Sequence, residues 1–306
     1  MRIDVLTIFP DLFTGFLTTS IPANAIESGA MSCHVHDIRV YAANRHRKVD
    51  DRPFGGGPGM VMMCQPIFDA VQAIELLDSV APVRVMLSPQ GERLTQPRVE
   101  WLAQQPHVLL LCGHYEGIDE RVVEELAPLE LSLGDYVLSG GELGAMVLID
   151  AVARLQPGVL GHEDSAAEDS FSVRAANGAP LLDCPHYTRP REWNGRAVPD
   201  VLLNGDHQAI SRWRDAQRME RTHTRRPDLL LQTTTQTQVQ SQVQSQVQSH
   251  SLETRPLTTD TERTLVQHKS VDQVDRPNRS SLTSENSSAD INTHTGLQGH
   301  NAPENA

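Results

Sequence analysis

Residues 158 to 171 read GVLGHEDSAAEDSF and place four carboxylates, Glu163, Asp164, Glu168 and Asp169, in one short stretch without apolar periodicity. Carboxylates crowded in this way serve as a solvated linker, as hard oxygen ligands for a cation, or as the home of a general base. Composition alone leaves the four equivalent. Just upstream, Arg154 closes an apolar run. Taken alone it reads as a helix cap or as an i, i+4 ion pair with Asp150, worth roughly a few tenths of a kcal/mol. A functional role for it needs independent support.

Three glycine-rich segments could let backbone amides approach a ligand. DDRPFGGGPGM (50 to 60) lacks the Gly-Lys-Ser/Thr ending of a P-loop, because Met60 and Val61 follow, which excludes that nucleotide-triphosphatase reading. A plain surface loop and a phosphate-contacting loop both stay open. Beside it, RVYAANRHRKVDDR (39 to 52) gathers Arg39, Arg45, Arg47, Lys48 and Arg52. A charge run is usually a solvated face, but next to a glycine loop it suits a nucleic-acid backbone. LCGHYEG (111 to 117) and LSLGDYVLSGGELGAM (131 to 146) each put glycines and one tyrosine after an apolar run. Gly140 and Gly141 open an apolar helix, whose first amides and dipole favour a carboxylate or phosphate. The spacing is not Gly-x-Gly-x-x-Gly, so the dinucleotide fingerprint is absent.

These segments need elements to hold them. RIDVLTIF (2 to 9), VRVMLSPQG (83 to 91) and VLLLCGHYEG (108 to 117) read as buried strands ending in turns, with helical patterns over 65 to 79 and 141 to 155. The alternation implies an α/β domain with a largely parallel sheet over 1 to 160 and ligands at the carboxyl ends of its strands. Residues 161 to 176 turn acidic and aperiodic and read as a linker. A short cationic helical domain follows over 177 to 231, carried by AISRWRDAQRMERTHTRRPDLL (209 to 230), with a second helix start at Pro227. From Gln232 the text becomes QTTTQTQVQSQVQSQVQSHS and then Ser/Thr/Asn-rich. Such a segment buries too little apolar surface to offset its ordering entropy, so 232 to 306 is expected to be a disordered tail. Its Gln/Val alternation leaves a partner-binding or β-pairing role open.

The chain of 306 residues carries a formal charge of -13, which argues against nonspecific coating of nucleic acid. Removing the five basic and eight acidic residues after Leu231 leaves the remainder acidic as well. Distribution matters more: of 26 basic residues only Lys48 and Lys269 are lysines, and nine arginines fall between Arg189 and Arg226. Arginine is the better side chain for planar, bidentate contact with phosphate or a base edge. The four cysteines stand singly, which fits reduced cytoplasmic thiols and gives no zinc pattern. The start lacks a signal-peptide pattern and no run is long enough to span a membrane, so a soluble cytoplasmic protein is expected.

In this order, IFPDLF, DDRPFGGGPGMVM, LSPQG, CGHYEGIDER, GDYVLSGGEL, DAVARLQPGVLGHEDSAAEDSF, LLDCPHYTRP and WRDAQRMERTHTRRPDLL closely resemble the bacterial tRNA (guanine-N1)-methyltransferases that modify guanine 37 beside the anticodon, in tRNAs with guanine at position 36. The likeness covers about residues 1 to 230. It implies a trefoil-knotted α/β fold of the SPOUT class, a homodimer with its active site at the subunit interface, and S-adenosylmethionine as methyl donor. The matching donor-binding positions are Leu87, Ser88, Pro89, Gly113, Tyr115, Glu116, Leu133, Gly134, Asp135, Tyr136, Val137, Leu138, Gly140 and Gly141. Guanine N1 must lose a proton to accept a methyl group, and negative charge then builds on O6, so a base and a cation are needed. The resemblance gives these roles to Asp169 and Arg154. It also implies a Mg²⁺ dependence through acidic groups near the base, and tRNA phosphates on the arginine cluster and the 39 to 52 loop.

Alternative readings are a catalytically silent RNA-binding protein on the same scaffold, and a SPOUT enzyme acting on ribosomal RNA or a ribose hydroxyl. Retained Asp169 and Arg154 count against the first, and the tRNA-enzyme likeness after residue 170 against the second. Three departures stand out: Gly144 where the family usually has proline, altered detail in RAANGA and REWNGRAVPDVLLNGDH, and the glutamine-rich tail in place of a longer helical domain.

Overall fold

The computed structural model describes residues 1 to 161 and 165 to 231. The expected tail, and Glu163 and Asp164 of the acidic loop, lie outside the described residues. In chain order the elements are β1 (Arg2–Thr7), α1 (Leu12–Leu17), α2 (Ser20–Glu27), β2 (Ser32–Asp37), β3 (Asp50–Asp51), β4 (Val61–Met62), α3 (Cys64–Glu75), β5 (Val83–Arg93), α4 (Gln96–Ala103), β6 (His107–Leu111), α5 (Glu120–Leu126), β7 (Leu129–Ser132), α6 (Glu142–Ala153), α7 (Ser165–Glu168), β8 (Glu192–Trp193), β9 (Arg196–Ala197) and α8 (His207–Arg225).

Five strands form one sheet in the order β2-β1-β6-β5-β7, every pair parallel. β6 reads HVLLL and is buried along its whole length, as the middle of a parallel sheet covered on both faces requires. Side chains alternate between the faces. Ile3, Val5, Val108 and Leu110 pack with α6 residues such as Leu148, Ile149 and Val152 on one side, while Leu6, Leu109 and Leu111 pack with Ile67, Val71 and Ile74 of α3 on the other. The expected parallel α/β domain is therefore present. The edge strands β2 and β7 are partly polar, and no alternation singled them out.

Two details differ from the sequence reading. The run after Met86 is not a strand ending but a wide bulge: Leu87 and Glu92 both face Leu131, so residues 88 to 91 are pushed out of the ladder. A Cβ on Gly91 would come within 2.4 Å of the Glu130 backbone, which is why the returning chain needs glycine there. In the acidic stretch, residues 165 to 168 form the short helix α7.

The region 177 to 206 holds only the β8–β9 hairpin and a 3-10 turn at 200 to 202 before α8 begins. Asp206 starts α8 by accepting from the amides of Gln208 and Ala209, both at 3.0 Å. Helical backbone resumes over 227 to 231, at the Pro227 start. No helix among the described residues is long and apolar enough to cross a membrane.

Candidate active site

The segments that leave β5, β6 and β7 meet at the carboxyl end of the sheet around a cleft of about 390 Å³. Leu87, Ser88 and Pro89 line it from the bulge, Gly113, Tyr115 and Glu116 from the turn after β6, and Leu133, Gly134, Tyr136, Val137, Leu138, Gly140 and Gly141 from the segment after β7. Asp135 does not line it. Its carboxylate is 93 % exposed and pairs with Arg93 at 3.1 Å. The glycines are explained by close approach: a Cβ on Gly141 would lie 2.8 Å from Cys112 Cα, and the Gly141 amide donates to the Gly113 carbonyl at 2.8 Å. Tyr115 adopts a left-handed backbone, φ +60°, unusual for a bulky residue.

Behind the glycines lies a buried polar pair that the sequence reading passed over. Thr7 Oγ1 donates to Glu142 Oε1 at 2.8 Å, tying β1 to the start of α6, and both residues are buried. Burial, then the neighbouring Glu142 charge, pushes the Cys112 thiol well above its usual range. His114 sits edge-on between Phe9 and Tyr115, ring centroids 5.1 Å from each, and its Nδ1 is buried without a hydrogen-bond partner. His114 lines the cleft. The signal for both residues was their place inside CGHYEG and SGGEL.

A second cleft of about 660 Å³ runs along α6 from Met146 to Arg154 and is lined by Phe16, Met146, Val147, Asp150, Arg154, Asp169, Ser170 and Asp183 among others. Here Arg154 Nη2 donates to Asp169 Oδ2 at 2.6 Å. Arg154 thus pairs with Asp169 across the loop, not with Asp150 on its own helix. Both side chains stay part-exposed, at 39 % and 46 %, and open to a substrate. The two clefts share no lining residue. Gly144 lines the first and Arg154 the second, ten residues apart on one helix, which is about 15 Å at the helical rise.

The glycine loop 53 to 59 is the tip of the β3–β4 hairpin, whose β4 side docks on the turn after β6 through Met62 N to Gly117 O at 2.9 Å and Glu116 N to Met60 O at 3.0 Å. Arg45, Arg47, Lys48 and Arg52 beside it are exposed, as are Arg189, Arg191, Arg196, Arg212 and Arg225. Asp183, Cys184 and His186 offer ligand atoms within 4.8 Å of one another. Asp183 and His186 already hydrogen-bond at 2.7 Å, and a guanidinium nitrogen of Arg218 lies 3.7 Å from Asp183, so side chains alone balance that charge.

The sequence family model described as tRNA (guanine-1)-methyltransferase TrmD matches residues 1 to 232. A tRNA (guanine-N(1)-)-methyltransferase of Moorella thermoacetica is 55% identical over 233 residues, covering 75% of this chain and 90% of that protein. Proteins of the same name from Geobacillus kaustophilus and Chloroflexus aurantiacus are 52% and 55% identical, each over 75% of this chain and over 91% and 88% of their own lengths.

Proposed function

Because this chain belongs to the tRNA (guanine-1)-methyltransferase family, we propose that it transfers a methyl group from S-adenosylmethionine to N1 of guanine 37 in tRNAs with guanine at position 36. The observation that carries the chemistry is the direct contact of Arg154 with Asp169 at 2.6 Å in an open cleft. Asp169 takes the N1 proton of guanine. Arg154 orients that carboxylate and offers its remaining N–H groups to the charge that develops on O6.

The donor, when bound, supplies an electrophilic methyl on a cationic sulfur. The first cleft fits it in kind: glycines at 134, 140 and 141 whose added Cβ would strike neighbouring protein atoms, backbone groups at the ends of three parallel strands, and apolar Leu87, Val137 and Leu138. The work of the protein is then to hold N1 in line with that methyl.

In one chain Gly144 of the first cleft and Arg154 of the second stand about 15 Å apart along α6. A homodimer resolves this if a partner copy brings its Arg154 and Asp169 to the glycine cleft. The exposed apolar residues Leu143 and Val147 on α6, with Phe9 and Leu12 nearby in sequence to the α1 contact, support that arrangement. The trefoil-knotted SPOUT path belongs to the same reading, supported by Gly140 and Gly141 pairing with His114 and Gly113 in the turn after β6. The arginines of α8 and of 39 to 52 are assigned to tRNA phosphates.

Mg²⁺ gains no comparable support. Among the described residues the one group of three possible ligands is Asp183, Cys184 and His186, where Asp183 is already held by His186, and Asp169 is paired with Arg154. These side chains do not form a cage for the ion.

A methyl-transfer assay tests substrate, reaction and position together. tRNA with guanine at 36 and 37 is expected to gain one methyl, and the same tRNA with adenine at 37 none. Asp169→Ala is expected to abolish transfer while S-adenosylmethionine still binds. Near-full turnover by that variant would remove the base assignment.

A further inference from the structure

The inward face of α8 is unusual in carrying a cation: Arg218 has a side chain only 8% exposed, one turn before the fully buried Thr222. A guanidinium so far from water is tolerated only among compensating charges. Three carboxylates surround it. Asp215 accepts a hydrogen bond from Nη1 at 3.1 Å, Glu168 Oε2 lies 3.7 Å from Nη2, and Asp183 Oδ1 lies 3.7 Å from Nε. Nε itself has no hydrogen-bond partner. Only Asp215 is on the same helix. The other two carboxylates belong to the segments that hold Asp169.

Glu168 ends α7 and directly precedes Asp169. On the other side of Asp169, Ser170 Oγ accepts from the Asp183 amide at 3.0 Å and the Phe171 amide donates to Leu181 O at 2.7 Å. Asp169 is therefore bracketed by two attachments, one of side-chain charge and one of backbone hydrogen bonds, and Arg218 touches both through Glu168 and Asp183. Arg214 also approaches Glu168, at 3.9 Å, but its side chain is 42% exposed and more strongly screened.

We propose that Arg218 is a positioning residue, which draws Glu168 and Asp183 toward one buried cation and thereby fixes where the Asp169 carboxylate stands. This gives Glu168 a role distinct from that of a solvated linker charge. It rests on the reading of Asp169 as the base. Arg218 is too buried to act by touching RNA, so its effect belongs in the rate of transfer and not in tRNA affinity.

The test is single-turnover methyl transfer by the full-length protein with saturating tRNA and S-adenosylmethionine, alongside tRNA affinity and thermal melting. Arg218→Met keeps the length of the side chain and removes its charge. Its rate is expected to fall about tenfold or more, the scale set by misplacing a catalytic group by a fraction of an ångström to one ångström. tRNA affinity should stay within about twofold, because no phosphate contact is lost, and Arg218→Lys should recover much of the rate. Glu168→Gln should slow transfer in the same direction, and the Arg218→Met/Glu168→Gln double variant should be no slower than the worse single one, because both remove the same contact. If Arg218→Met does not fold, Glu168→Gln decides alone, since that side chain is 60% exposed. Full-rate Glu168→Gln, additive losses, or a loss of tRNA affinity at unchanged rate would each overturn the proposal. Asp169→Ala in the same assay separates the two readings: an inactive Asp169→Ala beside full-rate Arg218 and Glu168 variants removes only the positioning role, whereas an active Asp169→Ala removes the base.

Discussion

At the scale of single residues, the types needed for chemistry were visible but their pairing was not. Asp169 and Arg154 stand fifteen positions apart on either side of a turn, and helical spacing offered Arg154 the nearer Asp150; only the packed loop brings Asp169 to it at 2.6 Å. Asp4 is a second case. It alternates into a buried face of β1, and nothing local showed that Arg2, His36 and His107 would converge on it at 2.7, 2.6 and 2.7 Å. Burial alone would raise its pKa, but hydrogen bonds from His36, Arg2 and His107, with the charge of Arg2, hold the carboxyl well below the usual range. A depressed pKa in the folded state gives stability that is present above the unfolded value and lost as pH falls toward the folded one. Asp4→Asn is therefore expected to cost about 3 kcal/mol at pH 7, the scale of breaking a buried ion pair. The deficit should narrow from about pH 5 to pH 3, as the parent carboxylate loses its advantage near the ordinary aspartate value. Urea unfolding of both proteins across that range checks it, and a gap independent of pH would place the cost in packing.

At the scale of elements, strands and helices with strong periodicity were legible, and the backbone devices between them were not. β1 and β6 follow from buried apolar runs and α3 and α6 from helical spacing, whereas the bulge at 88 to 91 depends on β7 lying beside β5. The glycine turn before α6 shows how position gives a residue meaning. Sequence marked Gly140 and Gly141 as a helix start fit for an anion, but packing adds the reason for each. A Cβ on Gly140 would come within 2.3 Å of Glu142 Oε2 and 2.4 Å of His114 Cδ2, and Glu142 is already fixed by Thr7. Gly144 belongs to the same end of the helix. Its missing Cβ leaves Leu87 free to close on α6, since a side chain there would meet Leu87 Cγ at 3.0 Å. The absence of proline is thus matched by a leucine packed into the space. Gly140→Ala must displace His114 or Glu142, and overpacking of this kind costs about 1–3 kcal/mol. The expected result is a drop in melting temperature with S-adenosylmethionine affinity reduced tenfold or more, about 1.4 kcal/mol, measured by calorimetry. Unchanged affinity would place the donor elsewhere.

At the scale of the whole molecule, the parallel sheet and the cleft at its carboxyl end could be read from alternating strands and helices, but the separate cleft that holds Arg154 and Asp169 could not. Periodicity says which face of α6 is buried. It does not say that Gly144 at one end and Arg154 at the other line separate cavities. The same helix points Leu143 and Val147 into solvent at 57% and 49% exposure, while its opposite face fills the core with Leu148, Ile149 and Val152. An apolar stripe on each side of one helix is costly in a monomer and useful in a dimer. Placing a carboxylate on the outer stripe separates the two parts of the proposed site, because the glycine cleft is built from one chain and the methylated guanine would need residues of two. Leu143→Glu, outside both clefts, is expected to sediment as a monomer at micromolar concentration. It should keep S-adenosylmethionine binding within a few-fold, since no donor-cleft residue changes, and lose methyl transfer by at least about a hundredfold, because base and donor are no longer held together. A fully active monomer would show that Arg154 and Asp169 reach the donor within one chain, and that the distance along α6 is closed by movement of the loop.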